Sequence, residues 1–259
     1  MTRIRDVSVE RIDADVRNAD KDRVVIEAPL QLRARGVPVA TVMRTPGQDL
    51  ELVRGLMHAE SVGADRDAVA PAIPTLAQID EDAVDIDVDA SAFAGRGLLA
   101  SAACGVCGRV AISDLELRAR TVDADTSLDH RVLAQLPDRL RAVQDVFGDT
   151  GGLHGAGLFT IDGTLVAARE DVGRHNAVDK LVGWALEARI DPAHHVLMLS
   201  GRAGYELVQK AIMLGVPIVA SVSAPSSLAI ELAERFNVAL AGFVRGSRAN
   251  LYAHAWRIR

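Results

Sequence analysis

Short apolar runs alternate with amphipathic segments through the second half of the chain, and this alternation constrains the fold more than any other feature. Strand patterns at residues 195–199, 216–221 and 238–244 are separated by helical patterns at residues 203–214 and 226–236. Strands that alternate with helices over short connections form a mostly parallel sheet flanked by helices. The sequence therefore predicts an α/β fold for this part of the chain.

Three further patterns extend this α/β unit towards the N-terminus. Asp162-Gly163 separates two short strand patterns, and this dipeptide favours a tight β-hairpin. Residues 176–188 carry a helical pattern, and apolar residues at intervals of three and four predict another helix across residues 133–147. We expect all of these elements to belong to one domain.

The first hundred residues are predicted to form a smaller, β-rich domain. Three short runs rich in β-branched residues within residues 23–44 predict an antiparallel sheet. A helix is predicted from Asp49 to residue 59, and apolar residues that alternate with aspartates predict a half-exposed strand at residues 84–88.

The glycine-rich segment after residue 89 is the predicted boundary between the two parts of the chain. We expect an N-terminal β-rich region at residues 1–108 and an α/β domain at residues 109–259. Residues 1–22 are charged and are expected to be frayed or to form a sheet edge.

Composition and charge exclude several classes of protein. The formal net charge is −6, which is the wrong sign for an obvious nucleic-acid-binding protein. No apolar run reaches the roughly 18 residues that a membrane helix needs. Residues 1–22 also lack the apolar stretch of a secretory signal. We therefore expect a cytoplasmic protein that binds neither nucleic acid nor a membrane.

Both cysteines of the chain lie in one motif, Cys104-Gly-Val-Cys107. A structural disulfide is disfavoured in a compartment that keeps thiols reduced. The pair could be zinc ligands, a redox couple, inert buried residues or a sulfur carrier. Zinc needs two further ligands, and the sequence has no H-x3–5-H pair to supply them, since His194 and His195 are adjacent. Gly105 and Gly108 favour a mobile, accessible loop, which suits a thiolate that accepts and passes on persulfide sulfur.

Polar segments follow three of the predicted strands, at residues 200–204, 221–227 and 243–248. Ligands bind at the carboxyl ends of the strands in open α/β sheets. Backbone N–H groups at helix starts favour anions there, and guanidinium groups match phosphate oxygens. The arginines that could serve this role are Arg202, Arg245 and Arg248. The sequence thus predicts a site for an anionic ligand at this edge.

Residues 170–180 form the densest polar stretch of the chain. Arg174 and His175 stand at the start of a predicted helix, and Lys180 lies further along it. Two interpretations remain open: a capped helix start with local ion pairs, or a corner that binds a ligand.

Seven motifs occur in a fixed order along the chain. They are Thr45-Pro46-Gly47, Cys104-Gly105-Val106-Cys107-Gly108, Thr150-Gly151-Gly152-Leu153-His154, residues 170–180, Ser200-Gly201-Arg202, Ser223-Ala224-Pro225 and Gly242-Phe243-Val244-Arg245-Gly246. Together they resemble the formate dehydrogenase accessory sulfurtransferase family, FdhD, from about residue 28 to the last residue.

The resemblance implies a homodimer whose main domain is similar to the cytidine deaminase fold. It implies an enzyme, a sulfurtransferase, that takes persulfide sulfur from a cysteine desulfurase and passes it to the molybdenum cofactor, a bis-molybdopterin guanine dinucleotide, for formate dehydrogenase. By the same resemblance, Cys104 and Cys107 handle the sulfur. The implied cofactor-binding loop consists of Phe243, Val244, Arg245, Gly246, Ser247 and Arg248.

One motif departs from the deaminase pattern. Zinc deaminases need H-x-E followed by P-C-x-x-C, whereas His154-Gly155-Ala156 lacks the glutamate and the cysteines precede the histidine. Deaminase chemistry is therefore not expected even if the fold is shared, and no permanently bound metal is expected.

The leading hypothesis is a sulfur carrier whose cofactor contacts also include Arg202, Arg174, His175 and Lys180. A second hypothesis is a non-catalytic chaperone that binds the molybdenum cofactor through the arginine-rich edge without using the thiols. A third is a binding module stabilised by zinc. The sequence leaves open which thiol carries the persulfide, with Cys104 slightly preferred.

Overall fold

The computed structural model describes residues 2–60, 74–93 and 119–259 of the chain. These residues form twelve β-strands in three sheets, together with six α-helices. The first sheet is a two-stranded antiparallel ribbon of β1 (Ile4–Asp13) and β2 (Val16–Val25). The segment predicted to be frayed or an edge is thus a regular hairpin that is exposed over most of its length.

The second sheet has four strands and carries one helix. Its members are β3 (Ala28–Ala34), β4 (Val37–Arg44), β5 (Leu76–Asp80), β6 (Ala83–Ile86) and α1 (Asp49–Glu60). The strand order is β4-β3-β6-β5, and β3 pairs with β4 in the predicted antiparallel sense. Leu30, Leu32 and Val84 of the sheet pack against Leu52 and Val53 of α1 in one buried core.

The third sheet has six strands in the order β12-β11-β10-β9-β7-β8. They are β7 (His154–Thr160), β8 (Leu165–Asp171), β9 (His195–Leu199), β10 (Ile218–Ser221), β11 (Ala239–Arg245) and β12 (Arg248–Ala253). The central strands β9, β10 and β11 are parallel, as the alternation predicted.

The prediction of a mostly parallel sheet is wrong for the outer strands. β7, β8 and β12 pair antiparallel with their neighbours, so the sheet is mixed. Short turns join β7 to β8 and β11 to β12, and such connections permit only antiparallel pairing. Gly163 and Gly246 supply the positive φ values, 82° and 52°, in these turns.

Helices cover both faces of this sheet. They are α2 (His130–Arg141), α3 (Asp145–Thr150), α4 (Arg174–Glu187), α5 (Tyr205–Leu214) and α6 (Ser227–Arg235). Successive side chains of β9 point to opposite faces of the sheet. Leu197 packs in the core beneath α4, α5 and α6, whereas Met198 packs in the core beneath α2. Among the described helices, none is long and apolar enough to cross a membrane.

Helices α1 and α4 pack together and connect the four-stranded sheet to the six-stranded sheet. A Cβ at Gly55 would lie 1.9 Å from the carbonyl oxygen of Asp179, and a Cβ at Gly183 would lie 1.9 Å from that of Glu51. The two backbones therefore touch directly at both glycines. The predicted boundary at residue 108 lies outside the described residues.

Candidate functional site

The carboxyl ends of β9, β10 and β11 open onto the edge where the sequence predicts a ligand. Because β7 runs antiparallel to β9, its first residue, His154, lies at the same edge. The Gly155 N–H donates to Oγ of Ser200 at 2.8 Å, and the Ser200 N–H donates to the Gly155 carbonyl at 3.0 Å. These bonds hold the start of β7 against the end of β9.

A pocket of about 600 Å³ lies at this edge, between the strand ends and helices α2 and α3. We call it the edge pocket. Its lining consists of Pro137, Asp138, Leu140, Arg141, Gln144, Phe147, Gly151, Gly152, Leu153, His154, Ser200, Val222, Val244, Arg245 and Gly246. Its size is typical of small-molecule sites, which combine apolar walls with a few polar groups.

The predicted cofactor loop at residues 243–248 is the tip of the β11–β12 hairpin. Val244, Arg245 and Gly246 line the edge pocket, whereas Ser247 and Arg248 lie beyond its lining. Phe243 is 39% exposed and has a φ of 53°. That conformation is uncommon for a bulky residue.

Two arginines bring positive charge to the edge pocket. The Arg141 guanidinium carbon lies 4.1 Å from the centroid of the Phe147 ring, a cation–π contact. Arg245 donates through Nε to the Val222 carbonyl at 3.2 Å. No carboxylate pairs with either guanidinium among the ion pairs of the described residues, so both remain available to an anion.

His154 is the histidine in the lining of the edge pocket. Burial lowers its pKa, and the positive charges of Arg174, His175 and Arg202 lower it further, against the opposing charge of Asp171. The neutral imidazole is therefore favoured, and it can donate or accept a hydrogen bond. We did not predict a role for His154 from the sequence, although its motif ended on it.

Arg174, His175 and Arg202 surround His154 without lining the edge pocket. His175 Nε2 lies 2.5 Å from Oε2 of Glu206 at the start of α5. The hydrogen bond from His175 is the main reason why the pKa of Glu206 lies below its usual value. The Glu206 carboxylate therefore compensates part of the positive charge of Arg174, His175 and Arg202.

Lys180 occupies a different place from the predicted one. It is fully buried, its Nζ lies 2.7 Å from Oδ2 of Asp171, and it donates to the Thr45 carbonyl at 2.8 Å. Burial lowers its pKa, and Asp171 opposes that effect. Lys180 is absent from the lining of the edge pocket and instead ties the β4–α1 turn to α4.

Thr45, Asp171, Asn176 and Lys180 form what we call the polar junction. Asp171 accepts from the Thr45 N–H at 3.1 Å and from Nδ2 of Asn176 at 2.9 Å. Asn176 also donates to the Met43 carbonyl at 2.7 Å. The dense stretch at residues 170–180 therefore contributes to the polar junction, to the group around His154 and, through Asp179, to a buried ion pair with Lys210.

Cys104 and Cys107 lie outside the described residues. Within residues 2–60, 74–93 and 119–259, no group of three or more His, Cys, Asp or Glu side chains is placed to hold a metal ion. Among the described residues, the edge pocket is the candidate site on which the proposed function rests.

Comparison with known proteins confirms the resemblance. The model of the FdhD/NarQ family matches residues 25–259. The sulfur carrier protein FdhD of Nocardia farcinica is 45% identical over 256 residues, which covers 92% of this chain and 89% of that protein. The protein of the same name from Streptomyces coelicolor is 46% identical over 251 residues, with the same two coverages.

A solved structure shows the same fold. A formate dehydrogenase accessory protein of Desulfotalea psychrophila superposes with a TM-score of 0.80 at 22% identity, over 100% of both chains. The predicted similarity to cytidine deaminases stays a prediction. The family match covers the N-terminal sheet, the polar junction and the edge pocket together, and the chain belongs to the FdhD/NarQ family.

Proposed function

We propose that this protein is a sulfur carrier that passes persulfide sulfur from a cysteine desulfurase to the bis-molybdopterin guanine dinucleotide cofactor of formate dehydrogenase. Its relatives of 45% and 46% identity are named sulfur carrier proteins. The observation that carries the proposal is the edge pocket, which has the tip of the β11–β12 hairpin on its rim. A cytoplasmic location and a homodimer stay predictions.

The chemistry of the edge pocket suits part of such a cofactor. Each dinucleotide combines planar heterocycles with phosphates. Arg141 and Arg245 offer guanidinium groups to phosphate, while Leu140, Leu153 and Val244 offer apolar surface to a ring. A pocket of about 600 Å³ matches one drug-sized portion of a ligand, so the rest of the cofactor would extend across the sheet edge.

The sulfur chemistry is assigned to Cys104 and Cys107. In the first step, a thiolate attacks the outer sulfur of the donor persulfide; a new S–S bond forms, the donor leaves as a thiolate, and the exchange requires no external electrons. In the second step, the other thiolate attacks the inner sulfur of the carrier persulfide. The outer sulfur then leaves as sulfide, and the two thiols supply the two electrons by forming a disulfide that a dithiol reductant must reopen.

Intact-protein mass spectrometry after incubation with a cysteine desulfurase and cysteine tests the carrier role. We expect a gain of about 32 Da, one sulfur atom, that disappears on treatment with a reductant. Cys104→Ala and Cys107→Ala variants identify the acceptor. A wild-type protein that gains no sulfur under these conditions would contradict the proposal.

The chaperone hypothesis stays as the alternative because the described residues that line the edge pocket already offer guanidinium groups and apolar surface to a cofactor. Cofactor binding could thus proceed without either thiol. A double Cys104→Ala/Cys107→Ala variant separates the two functions. A sulfur carrier loses the ability to activate formate dehydrogenase in this variant, whereas a chaperone retains it.

A further inference from the structure

The β1–β2 ribbon extends from the rest of the protein with most of its residues exposed. Its ten cross-strand pairs run from Ile4–Val25 to Asp13–Val16 without a register shift. A two-stranded antiparallel ribbon is only marginally stable on its own in water, and a third strand is usually needed for independent stability. A strand added to one edge of the ribbon would therefore stabilise it.

The base of the ribbon is anchored to the α/β domain. Nη2 of Arg3 donates to the Glu170 carbonyl at 3.3 Å. Nη2 of Arg23 lies 2.8 Å from Oδ1 of Asp149 in α3. The match to the family model begins at residue 25, which is the last residue of the ribbon. The ribbon is therefore an anchored arm that precedes the part of the chain by which the family is defined.

The outer edge of β1 carries backbone groups that β2 does not use. The Ile26 N–H donates to the Arg3 carbonyl at 2.9 Å, and this bond sets the alternation of hydrogen bonds along the ribbon. Odd-numbered residues of β1 direct their backbone groups at β2, whereas even-numbered residues from Ile4 to Ile12 direct theirs outward. Within the described residues β1 pairs with β2 alone, and neither a proline nor a bulge interrupts it. Such an edge is a template for another strand.

The charges along β1 fit a second copy of β1 in one antiparallel register. In a pair related by a two-fold axis at Val9, Arg5 lies opposite Asp13 of the second copy. The axis produces this opposite-charge pair twice, and no like charges lie directly opposite each other in this register. Arg5 and Asp13 are exposed, and neither has an ion-pair partner among the described residues. Val7 and Val9, which are partly buried, would join their copies in one apolar stripe.

Neighbouring registers of the ribbon bring like charges together. With the axis at Ser8, Asp6 of one copy would lie opposite Glu10 of the other. On β2, an axis at any of residues 20–22, which are all charged, places that charge opposite its own copy. Like charges directly opposite each other destabilise a sheet. The β1 edge is therefore complementary to a second β1 in the register centred on Val9, whereas the β2 edge resists pairing with itself.

We propose that two copies of this protein associate through their β1 edges and form a continuous four-stranded sheet, in the order β2-β1-β1-β2, across a two-fold axis at Val9. The even-numbered residues of each β1 bond the other, and Val9 meets its copy in a non-hydrogen-bonded pair. The inference goes beyond the homodimer that the family resemblance implies, because it assigns the contact to residues that precede the family match. It is independent of the proposed sulfur transfer.

Sedimentation velocity of the full-length protein over a range of concentrations measures this association. Arg5→Asp places two aspartates opposite each other at both ends of the contact, so the dissociation constant should rise roughly tenfold or more. The double variant Arg5→Asp/Asp13→Arg restores opposite charges, and its association should return to the wild-type level. Lys21→Glu is the matched charge reversal on β2, and it should associate like the wild type.

A single added cysteine locates the two-fold axis. In a Cys104→Ala/Cys107→Ala background, the cysteine added by Val9→Cys is the only thiol. Its Cα would lie roughly 4.5 Å from that of its copy, within reach of a disulfide. The matched variant Val7→Cys places the two Cα atoms roughly 14 Å apart, which is too far for a bridge. Mild oxidation should therefore link two chains in Val9→Cys and not in Val7→Cys, as a denaturing gel without reductant would show.

Two results would overturn the inference. One is a wild-type protein with the mass of a single chain at every concentration, which would leave the β1 edge to a strand of a different protein. The other is association that Arg5→Asp does not weaken, or oxidation that links Val7→Cys as readily as Val9→Cys, because the copies would then meet elsewhere. Thermal melting of each variant reports whether the fold is retained.

Discussion

The polar junction and the edge pocket are both rich in polar side chains, yet they differ in how those side chains are paired. In the polar junction, Lys180 and Asp171 are fully buried and bonded to each other and to Thr45. In the edge pocket, Arg141 stacks on a ring, Arg245 bonds only a backbone carbonyl, and the Gln144 amide nitrogen has no partner among the described residues.

The difference shows that pairing, and not polarity, distinguishes a structural cluster from a binding site. A buried charge that has all its partners holds two elements together, and losing one partner is costly. Polar groups left without protein partners beside a cavity are free to bond a ligand. This comparison explains why residues 170–180 look functional in the sequence although Asp171, Asn176 and Lys180 are paired within the protein.

The largest expected effect tests the polar junction. Lys180→Met leaves the Asp171 carboxylate buried without its cation, so the free energy of unfolding should fall by about 3–5 kcal/mol. Urea denaturation at neutral pH measures this change. A loss below about 1 kcal/mol would contradict the role of the ion pair.

Arg245→Ala is the matched variant in the edge pocket. Arg245 is exposed, so its removal should change stability by no more than about 0.5 kcal/mol. It should nevertheless weaken GMP binding by about tenfold, because a charge-assisted hydrogen bond to phosphate is lost. The comparison between the two regions fails if both variants lose stability equally.

A loss of stability smaller than that of Lys180→Met is expected where α1 crosses α4. In Gly183→Ala the new methyl group would lie 1.9 Å from the Glu51 carbonyl oxygen, so the helices must separate. Overpacking of this kind costs about 1–3 kcal/mol, which should lower the melting temperature. Gly148→Ala in α3 is the control, because no atom lies within 4 Å of its Cβ position and alanine favours a helix. Equal melting temperatures for the two variants would exclude a tight crossing.

The smallest expected effect is the pH dependence of stability that His154 causes. Because its pKa is lower in the folded protein than in the unfolded chain, the unfolded state binds more protons at mildly acidic pH. The contribution of His154 to the free energy of unfolding is therefore fully present above the unfolded pKa of about 6.5. It is lost as the pH falls towards the pKa of the folded protein. Urea denaturation at several pH values between about 7 and 5 should show that the free energy of unfolding falls as the pH falls. In His154→Gln this fall should be smaller by about 1 kcal/mol or less.

Two other histidines contribute to the same loss of stability at acidic pH. Burial also lowers the pKa values of His58 and His195, so part of the decline will persist in the variant. An identical pH dependence in wild type and variant would show that His154 titrates as it does in the unfolded chain.

Local patterns predicted most of the elements of the α/β domain. The strand at residues 195–199 was predicted to the residue, and the hairpin at Asp162-Gly163 formed as expected. β12 was missed because residues 248–253 are mostly exposed and carry no clear alternation of apolar and polar residues. The ribbon of β1 and β2 was missed because most of its residues are exposed and only a few, such as Val7 and Val9, are partly buried.

The candidate site was predicted in part. Val244, Arg245 and Gly246 do line the edge pocket, because the carboxyl end of a parallel strand has a known place in such a sheet. Arg141 and Gln144 were missed because they lie at the end of α2 and in the connection that follows it, far from those strands in the sequence. Only the packing of α2 against the sheet brings them to its edge.

The amino-acid sequence by itself determined the alternation of strands and helices, the glycine turns and the ordered motifs of the family, since each depends on residues close together in the chain. The tertiary structure decided which polar residues are paired. Lys180 became structural because β4 and α1 brought Thr45 to it. The Gln144 amide nitrogen has no partner among the described residues because it lies beside Gly155, whose N–H and carbonyl are already bonded to Ser200. Pairing depends on which distant groups meet, and a local pattern carries no information about that.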